Sequence, residues 1–452
     1  MLEATVYPIE RAGDHVVLTV DYSIPESSES DTELRVQDYM EDCVLCWGTS
    51  TVRLVDLSEG YVWRPGYAWS EGHTDVTLTK QSQLRVSPGQ TVTSVTFFGE
   101  CDADEVDVLI EFVGMAMDVP VVDGDADTPG LSSLGLEDPL FGDYDEEESV
   151  LVYPDPFPLE SVIESYDDGA SLEKQGENQT VVMSSDVLFG SDVAELSDEA
   201  AARVDAVAEQ IAEAATGGEV RVVGHTDDVD TEDYNMDLSA RRAASVAERL
   251  GAMLDTSFTV VEEGKGESQP RVEGKDSAAR AANRRVEIAF TSADAIALPG
   301  DVSDIPEATV PVSSGHDPVT YADAYSGDTT VTSHVSSVVR HDGYLVGTLV
   351  AANNSDSSSL GPMYGVVCNR SLDAECLELL GPNGRVFPAQ HKSDWSESDY
   401  RVGLVDDNHI QFLSSGYSFA YTIVWPDTGE NSVTIESPGV FRITDIPVEE
   451  PR

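Results

Sequence analysis

The spacing of apolar residues changes twice along this chain of 452 residues, and this change restricts the fold more than any other feature. Residues 16–20 and 91–98 are short runs rich in β-branched and aromatic side chains, which are typical of strands. Further along, Val204, Val207 and Ile211 recur at the spacing of one face of a helix. The sequence therefore predicts a middle region of strands and helices between two β-rich regions.

Composition places the boundaries between these regions. Residues 122–176 are acidic and irregular, and residues 293–335 are rich in Asp, Ser, Pro and Thr, so both are predicted to be linkers. They separate a β-sandwich domain at 1–121, a mixed domain at 177–292 and a second β-sandwich domain at 336–452. The predicted fold class is multidomain: an α+β domain with a β-α-β-α-β-β mixed sheet, flanked by two all-β domains of immunoglobulin-like type.

The two β-rich regions resemble each other. Without a gap, the run Asp118-Val119-Pro120-Val121 aligns with Asp445-Ile446-Pro447-Val448, and the same offset places Val106 on Val433. Strands about ten residues apart, with turns between them, suit an antiparallel sandwich. Modules of this kind mostly bind partners or act as spacers, and neither copy identifies a ligand.

Within the middle region, the signals predict strand, helix, strand, helix, strand and strand. A strand over residues 181–189 is followed by Ser197, which is expected to cap a helix with Asp198 and Glu199 in its first turn. Gly217 and Gly218 end that helix. The other elements are predicted as a strand at 219–223, a helix at 238–254 and strands at 258–262 and 285–290.

The charge of the chain excludes two classes of partner. Its 85 acidic and 25 basic residues give a formal net charge of −60, so we expect it to bind neither a nucleic acid backbone nor an anionic membrane face. With 40% apolar residues it can still bury cores. We expect no membrane-spanning helix, since no long apolar run occurs, and no signal peptide in this sequence, since its first residues are polar.

Five cysteines are present: Cys43, Cys46, Cys101, Cys368 and Cys376. In an oxidising compartment they predict two short disulfides and one unpaired thiol, with the pairing left open. The spacing of Cys43 and Cys46 also occurs in redox and zinc motifs. Those motifs need a second pair of ligands or a helix that starts at the first cysteine, and neither is indicated here. We therefore expect a structural role.

Short motifs in the middle region resemble those of a known family in both order and spacing. From the amino to the carboxyl side they are Val187-Leu188-Phe189, Gly224-His225-Thr226-Asp227, Tyr234-Asn235, Leu238-Ser239, Arg241-Arg242-Ala243, Gly264-Lys265-Gly266-Glu267 and Arg280-Ala281-Ala282-Asn283-Arg284-Arg285-Val286-Glu287. Together they are similar to the OmpA-like peptidoglycan-binding domain, which OmpA, Pal and MotB proteins share. The resemblance covers residues 180–292 and implies nothing about the flanking regions.

The resemblance implies non-covalent binding of the peptidoglycan stem peptide through the free end of its diaminopimelate residue. That end carries an ammonium and a carboxylate. By position in the motifs, Asp227 is expected to accept from the ammonium and Arg242 to hold the carboxylate with two parallel hydrogen bonds. Thr226, Asn235 and Arg284 are expected to line the same pocket. No cofactor is expected.

Closely spaced carboxylates at two places raise the alternative of a metal site. The candidate ligands are Asp123, Asp125 and Asp127 in the first linker, and His225 with Asp227, Asp228 and Asp230 after a strand. The first group lacks the Gly and Glu positions of an EF-hand, and consecutive loop residues rarely converge on one ion. We therefore favour solvated charge runs and expect no metal. Asp230 also departs from the family, which usually has a glycine there.

Two functions remain open. In the first, the chain is an exported envelope protein, in the cell wall or at the periphery of the outer membrane. Its middle domain binds peptidoglycan, and its β-sandwiches present surfaces to another envelope protein. In the second, it is a surface adhesive or scaffold whose β-sandwiches bind a protein or glycan. No spacing fixes a Ser-His-Asp or Cys-His arrangement, so the sequence does not predict an enzyme.

Overall fold

The chain folds into two compact units. The β-rich unit combines residues 1–159, 309–377 and 388–452, and the middle unit combines residues 160–308 and 378–387. The structure is a computed structural model. It describes residues 3–25, 34–35, 52–69, 76–79, 85–110, 113–130, 133, 150–292, 298, 305–322, 330–354, 359–360, 377–382, 384–392, 401–404, 412–413 and 418–451.

Short strands make up the described amino-terminal part of the β-rich unit. In chain order they are β1 (Glu3–Val6), β2 (Ile9–Arg11), β3 (His15–Ser23), β4 (Leu34–Arg35), β5 (Val52–Asp56), β6 (Tyr61–Trp63), β7 (Tyr67–Trp69), β8 (Val76–Thr77), β9 (Arg85–Val86), β10 (Thr91–Gly99), β11 (Glu105–Ile110), β12 (Gly114–Asp123), β13 (Val150–Val152) and β14 (Phe157–Pro158). A nine-stranded sheet has the order β1-β3-β2-β12-β11-β5-β6-β14, and β10 also pairs with β3. Along β3, every second residue from Val16 to Tyr22 lies in the core, the two-residue period of a strand.

The middle unit contains the helices of the described chain. Its elements up to residue 291 are β15 (Glu160–Glu164), β16 (Ala170–Gln175), β17 (Asn178–Ser184), α1 (Ser185–Leu188), α2 (Asp198–Ala214), β18 (Gly218–His225), α3 (Glu232–Met253), β19 (Phe258–Gly266), α4 (Ser277–Asn283) and β20 (Arg285–Thr291). None of these helices has both the length and the apolar character that crossing a membrane requires.

The chain after residue 304 is again built from strands where the structure describes it. These are β21 (Val312–Ser314), β22 (Val319–Ala322), β23 (Thr330–His341), β24 (Tyr344–Asn353), β25 (Ser359–Leu360), β26 (Glu378–Gly381), β27 (Gly384–Val386), β28 (Gln390–Lys392), β29 (Arg401–Gly403), β30 (Phe412–Leu413), β31 (Ser418–Pro426), β32 (Ser432–Ser437) and β33 (Phe441–Pro447). β26 and β27 belong to the middle unit and the others to the β-rich unit. A four-stranded sheet has the order β22-β23-β24-β31.

The internal resemblance between the two β-rich regions extends to their backbone. At the offset that aligns Val106 with Val433, β10, β11 and β12 begin where β31, β32 and β33 begin. The pairs β11–β12 and β32–β33 both shift register directly after these two valines. Asp118 and Asp445 then share a left-handed backbone, with φ of 55° and 53°. Because such a conformation is uncommon outside glycine, its recurrence supports a duplicated module.

Both β-rich regions lie in one unit, whereas the sequence predicts two separate sandwich domains. One core cluster takes Val55 and Leu109 from the first region and Val346 and Val424 from the second. Contacts between residues so far apart in sequence leave no local pattern, so composition alone did not reveal them. The unit is rich in sheet, and its immunoglobulin-like topology stays a prediction.

The sheet of the middle unit is mixed, as predicted. Its strand order is β19-β18-β20-β17-β16-β15-β27-β26. β18 and β19 are parallel and α3 connects them, while the neighbouring pairs β18–β20 and β17–β20 are antiparallel. The α+β character of this region is confirmed.

The core of the middle unit lies between this sheet and helices α2 and α3. The Ser197 side chain accepts a hydrogen bond from Ala200 N at 3.1 Å and caps α2 at the predicted residue. Val204, Val207 and Ile211, on the predicted face of α2, are fully buried. Burying each such side chain stabilises the fold by about 1.5–3 kcal/mol.

Two boundaries of the middle unit differ from the prediction. Residues 160–175, predicted as part of an acidic linker, form β15 and β16, which extend the sheet beside β17. The acidic composition of these residues is typical of a linker, so the sequence did not predict strands here. Within β16, Leu172 is buried and its neighbour Glu173 is not. Residues 187–189, predicted as strand, instead end α1, because Ser184 caps a helical turn by accepting from Asp186 N.

Helix α3 begins six residues earlier than predicted, at Glu232 rather than residue 238. The Thr231 side chain accepts from Tyr234 N and provides the cap. Helix α4 was not predicted. It is short, and Asp276 caps it by accepting from Ala278 N and Ala279 N.

The predicted disulfides fall mostly outside the described residues, since Cys43, Cys46, Cys368 and Cys376 lie there. Cys101 is a free thiol that is 2% exposed, and burial raises its pKa.

The three aspartates of the first predicted linker lie at the exposed end of β12 and in the turn that follows it. The Asp125 carboxylate accepts from Asp127 N at 2.8 Å, and the Asp123 side chain is 96% exposed. Both features are those of a charged surface turn.

Candidate functional site

A pocket of about 610 Å³ lies in the middle unit, where β18 ends. It is bordered by the end of α1, the loop after β18, the first half of α3 and the residue that follows α4. The residues that line it include Asp186, Phe189, Asp192, Thr226, Asp227, Asp230, Tyr234, Asn235, Arg242 and Arg284. The structure thus brings together all five residues that the sequence analysis selected for one pocket.

Close packing of α3 against the sheet sets the shape of this pocket. A Cβ atom on Gly224 would lie 2.3 Å from Ser239 O, and one on Gly264 would lie 2.5 Å from Ala240 N. Only glycine lets helix and strand backbones approach this closely. Because Asn235 and Arg242 lie on α3, this approach brings them to the end of β18.

The loop between β18 and α3 is braced from outside the pocket. Arg280 Nε donates to Asp228 Oδ1 at 2.6 Å. Asp230 has a φ of 79°, a left-handed conformation that glycine adopts most easily. Asparagine and aspartate tolerate this left-handed conformation better than other side chains do, so the loop keeps its turn with a carboxylate in place of the glycine.

Asp227 lies on the pocket wall in an ion pair with Arg284. Its Oδ2 accepts from Arg284 Nη1 at 2.7 Å and its Oδ1 accepts from Val229 N at 3.1 Å. Arg284 also donates from Nε and Nη2 to the two carboxylate oxygens of Asp186. These contacts raise the pKa of Arg284 and lower that of Asp186. A carboxylate has about four acceptor positions, so Asp227 retains capacity for a further donor.

Arg242 differs from Arg284 in its partners. Its Nε donates to the backbone carbonyl of Val193 at 3.0 Å, its Nη2 lies 3.4 Å from Gly190 O, and its guanidinium lies 5.1 Å from the centre of the Phe189 ring. No carboxylate of the described residues lies within ion-pair distance of it, although the charges of Asp186 and Asp192 act on it from farther away. The residue is 6% exposed, and burial lowers its pKa. A desolvated guanidinium without a carboxylate partner is prepared to bind an anionic group of a ligand.

Thr226 and Asn235 border the pocket in different ways. The Thr226 hydroxyl is buried and finds no hydrogen-bond partner among the described residues, so a ligand reaches it only if the side chain or its surroundings move. The Asn235 amide nitrogen donates to Val229 O at 2.8 Å and to Glu267 Oε2 at 2.6 Å. Asn235 therefore fixes the loop that carries Asp227.

The pocket carries more negative than positive charge. Asp186, Asp192, Asp227 and Asp230 line it together with only two arginines, Arg242 and Arg284. Because Arg284 is already held by two carboxylates, the field in the pocket favours an ammonium near Asp227 and one carboxylate beside Arg242.

The metal hypothesis for His225 and the aspartates after it is not supported by their positions. His225 is 2% exposed and its Nε2 lies 3.7 Å from Glu287 Oε1 on β20. Asp227 is paired with Arg284, and Asp228 with Arg280. The aspartates are thus held by different cations, and the imidazole contacts another carboxylate.

The carboxylate of Glu287 is expected to give a pH-dependent contribution to stability. Burial acts to raise its pKa, but contacts with His225 and Arg285 outweigh burial and lower the pKa to about 2 from 4.5. Its contribution is therefore complete above pH 4.5 and is lost as the pH falls toward 2. Glu287→Gln should lower the free energy of unfolding by on the order of 2 kcal/mol at pH 7.

Urea unfolding of the wild type and Glu287→Gln at several pH values measures this effect. The difference between them should shrink from pH 4.5 downward, while Glu248→Gln, at an exposed position of α3, should match the wild type throughout. A difference that stays constant between pH 7 and pH 3 would contradict the assignment.

Sequence reasoning missed several residues of the pocket, namely Asp186, Phe189, Asp192 and Tyr234. Asp186 holds Arg284, and Phe189 lies under the Arg242 guanidinium. The segment 187–189 was noticed as part of a motif but interpreted as a strand, so its place beside α3 could not be inferred. Asp186 directly precedes Val187, and no local signal in the sequence identifies its role.

Comparison with known proteins gives a match to one family model. The OmpA family model matches residues 188–284, a range that contains all five selected residues. Outer membrane protein A of Bordetella avium is 42% identical over 108 residues, which are 24% of this chain and 55% of that protein.

Two further relatives are lipoproteins. The outer-membrane lipoprotein YfiB of Pseudomonas aeruginosa is 36% identical over 124 residues, 26% of this chain and 73% of that protein. The peptidoglycan-associated lipoprotein of Legionella pneumophila is 36% identical over 105 residues, 23% of this chain and 58% of that protein. The chain thus spans little more than half the length of two of these three relatives, and the matches concern its middle unit.

Proposed function

This chain belongs to the OmpA family, and we propose that its middle unit binds peptidoglycan non-covalently and so holds the protein in the cell envelope. The names of the relatives support this proposal, since they describe outer-membrane proteins and a peptidoglycan-associated lipoprotein. On this proposal the protein is exported and acts as a binding module, not as an enzyme.

The observation that carries the proposal is the state of Arg242. Its guanidinium is desolvated and stacked on Phe189, and its hydrogen bonds go only to backbone carbonyls. Burying an arginine without a carboxylate in direct contact is costly, and the charges of Asp186 and Asp192 reach it only from farther away. A ligand carboxylate in the pocket supplies that contact.

The ligand we propose is the diaminopimelate residue of the stem peptide. Its free end places an ammonium and a carboxylate on one carbon, which matches a pocket that presents Asp227 on one wall and Arg242 on another. The ammonium donates to Asp227, and the carboxylate accepts two hydrogen bonds from Arg242. The buried Thr226 hydroxyl, which lacks a partner among the described residues, becomes a further partner of this end of the ligand when its side chain turns into the pocket.

In the absence of a ligand, Asp227 forms an ion pair with Arg284. The Asp227 carboxylate has acceptor positions to spare, so it can accept from a ligand ammonium while it keeps this pair, and Arg284 also keeps its two hydrogen bonds to Asp186. This arrangement orients Asp227 in advance, which lowers the entropic cost of binding. Lysine in place of diaminopimelate lacks the carboxylate, so a lysine-type wall should bind weakly.

Co-sedimentation of the full chain with insoluble diaminopimelate-type peptidoglycan tests the proposal. The wild type should sediment, and free diaminopimelate should release it. Asp227→Asn keeps the shape of the side chain but removes its charge, and should weaken binding about tenfold, the value of one charge-assisted hydrogen bond.

Asp237→Asn is the matched control. Asp237 lies on the same helix as Arg242 but is 67% exposed and contacts Arg241 one turn along. It should sediment like the wild type. Failure of the wild type to sediment, or equal sedimentation of Asp227→Asn, would refute the proposed function.

A further inference from the structure

Three carboxylates surround one nitrogen of a buried histidine in the β-rich unit, far in sequence from the pocket. His341 Nε2 lies 2.9 Å from Asp107 Oδ1, 3.8 Å from Asp118 Oδ1 and 3.8 Å from Asp342 Oδ2. The ligand atoms of Asp107, Asp118 and His341 all lie within 4.8 Å of one another. One carboxylate, that of Asp107, is enough to form a hydrogen-bonded pair with the histidine. The presence of two further carboxylates beside the same nitrogen is not explained by that pair.

The cluster has a buried side and an open side. The side chains of His341 and Asp107 are 5% and 4% exposed, while those of Asp118 and Asp342 are 59% and 48% exposed. Such a site combines rigid ligands at its base with a path by which an ion enters from solvent.

The duplicated module shows that the fold itself does not require this cluster. At the offset that places Asp118 on Asp445, the residue equivalent to Asp107 is Thr434. Both copies keep the register shift and the left-handed backbone. Asp107 Oδ1 accepts from Asp118 N at 3.0 Å, but the other copy forms the same bulge with Thr434, so a carboxylate at position 107 is not needed for it and is a feature of one copy only.

We propose that Asp107, Asp118 and His341 form a binding site for a divalent cation, with Zn²⁺ as the best fit, and that Asp342 beside His341 adds negative charge to the site. One imidazole and carboxylate oxygens are a donor set that zinc accepts at about 2.0–2.2 Å. Four tetrahedral ligands at that distance are about 3.3 Å apart. The separations of 2.9 Å and 3.8 Å from His341 Nε2 to Asp107 and Asp118 bracket this value, and the two carboxylate oxygens lie within 4.8 Å of each other. A movement of the exposed Asp118 side chain toward Asp107 therefore completes the site.

The net charge of the cluster also favours a divalent cation. Three carboxylates face one imidazole, so the group keeps a net negative charge in either protonation state of His341. A divalent cation compensates this charge in a location where Asp107 has little contact with water.

Zinc at this site would connect segments that are distant in the sequence. Asp107 and Asp118 lie on β11 and β12 of the first β-rich region, whereas His341 and Asp342 lie at the end of β23 and in the turn that follows it. Binding to the folded state alone raises its stability. Free Zn²⁺ at a hundred times Kd should raise the Tm of the β-rich unit by about 5 °C.

Equilibrium dialysis and calorimetry of the full chain test the proposal. The buffer contains millimolar Mg²⁺, which occupies weak acidic sites on the surface, and the thiols are alkylated so that Cys43 and Cys46 cannot bind metal. The wild type should bind one Zn²⁺ per chain and gain the Tm shift, and a chelator should reverse both. His341→Gln should weaken binding about tenfold or more and remove the shift.

Asp118→Asn and Asp342→Asn keep the proposal testable if a change at a buried residue prevents folding. Both positions are exposed, and asparagine tolerates their positive φ. Each should weaken Zn²⁺ binding. Asp445→Asn, the equivalent of Asp118→Asn in the other copy, should not. Absence of stoichiometric binding, preference for Ca²⁺, or equal loss in Asp445→Asn would overturn the proposal.

Discussion

Replacing Arg242 with alanine is expected to weaken binding of a soluble diaminopimelate-containing muropeptide by about a hundredfold, or roughly 3 kcal/mol. The guanidinium is desolvated, lies on Phe189 and forms no ion pair with the described residues. In the complex it is the proposed partner of the ligand carboxylate. Its removal leaves that carboxylate in a pocket lined by four aspartates. Calorimetric titration of the wild type and the variant measures the effect.

The neighbouring arginine provides the control for this prediction. Arg241 lies on the exposed side of α3, and its Nε donates to Asp237 at 2.8 Å in an i,i+4 pair. Arg241→Ala should change the affinity less than twofold, or about 0.4 kcal/mol. Arg242→Lys keeps the charge but loses the planar fork, so its affinity should be intermediate. Equal affinities of Arg241→Ala and Arg242→Ala would contradict the assignment.

The largest effect on stability is expected from Gly224→Ala. The added Cβ would lie 2.3 Å from Ser239 O, a backbone atom of α3 that cannot move without the helix. Overpacking of this kind should cost about 3 kcal/mol or more. Because α3 carries Asn235 and Arg242, its displacement should also reduce peptidoglycan binding. Hydrogen exchange of peptides from residues 160–292 reports the stability of the middle unit separately from the β-rich unit.

Replacing a second glycine, Gly251 of α3, with alanine should raise the stability of the middle unit instead of lowering it. A Cβ on Gly251, within α3, would meet only Val260 Cγ2 at 4.0 Å. Gly251→Ala should therefore stabilise the helix by about 0.5–1 kcal/mol, the difference in helix propensity. If both variants had the same effect, the close approach at Gly224 would not be the cause.

The elements with strong local signals were predictable from the sequence. Ser197 with two acidic residues after it located the start of α2, and the spacing of Val204, Val207 and Ile211 identified its buried face. The motif residues Asp227 and Arg242 are fifteen positions apart, yet both line one pocket. The family resemblance, and not the local pattern, made that pairing predictable.

The elements that were missed depend on distant partners or on short caps. β15 and β16 are acidic segments whose strand character is stabilised by pairing with β17. Asp186 and Arg284 are 98 positions apart, and no local rule connects them. The duplication was visible in the sequence because Asp118 and Asp445 stand at equivalent positions, but the joining of the two β-rich regions in one unit was not.

The central claim is that Arg242 binds the carboxylate that distinguishes diaminopimelate from lysine. The measurement that tests it most directly is calorimetric titration of the wild type and Arg242→Ala with two tripeptides that differ only in this residue. The wild type should bind the diaminopimelate peptide at least tenfold more tightly than the lysine peptide, about 1.4 kcal/mol. In Arg242→Ala that preference should disappear, because the variant no longer distinguishes the two ligands. A wild type without preference, or a preference that survives in Arg242→Ala, would contradict the account.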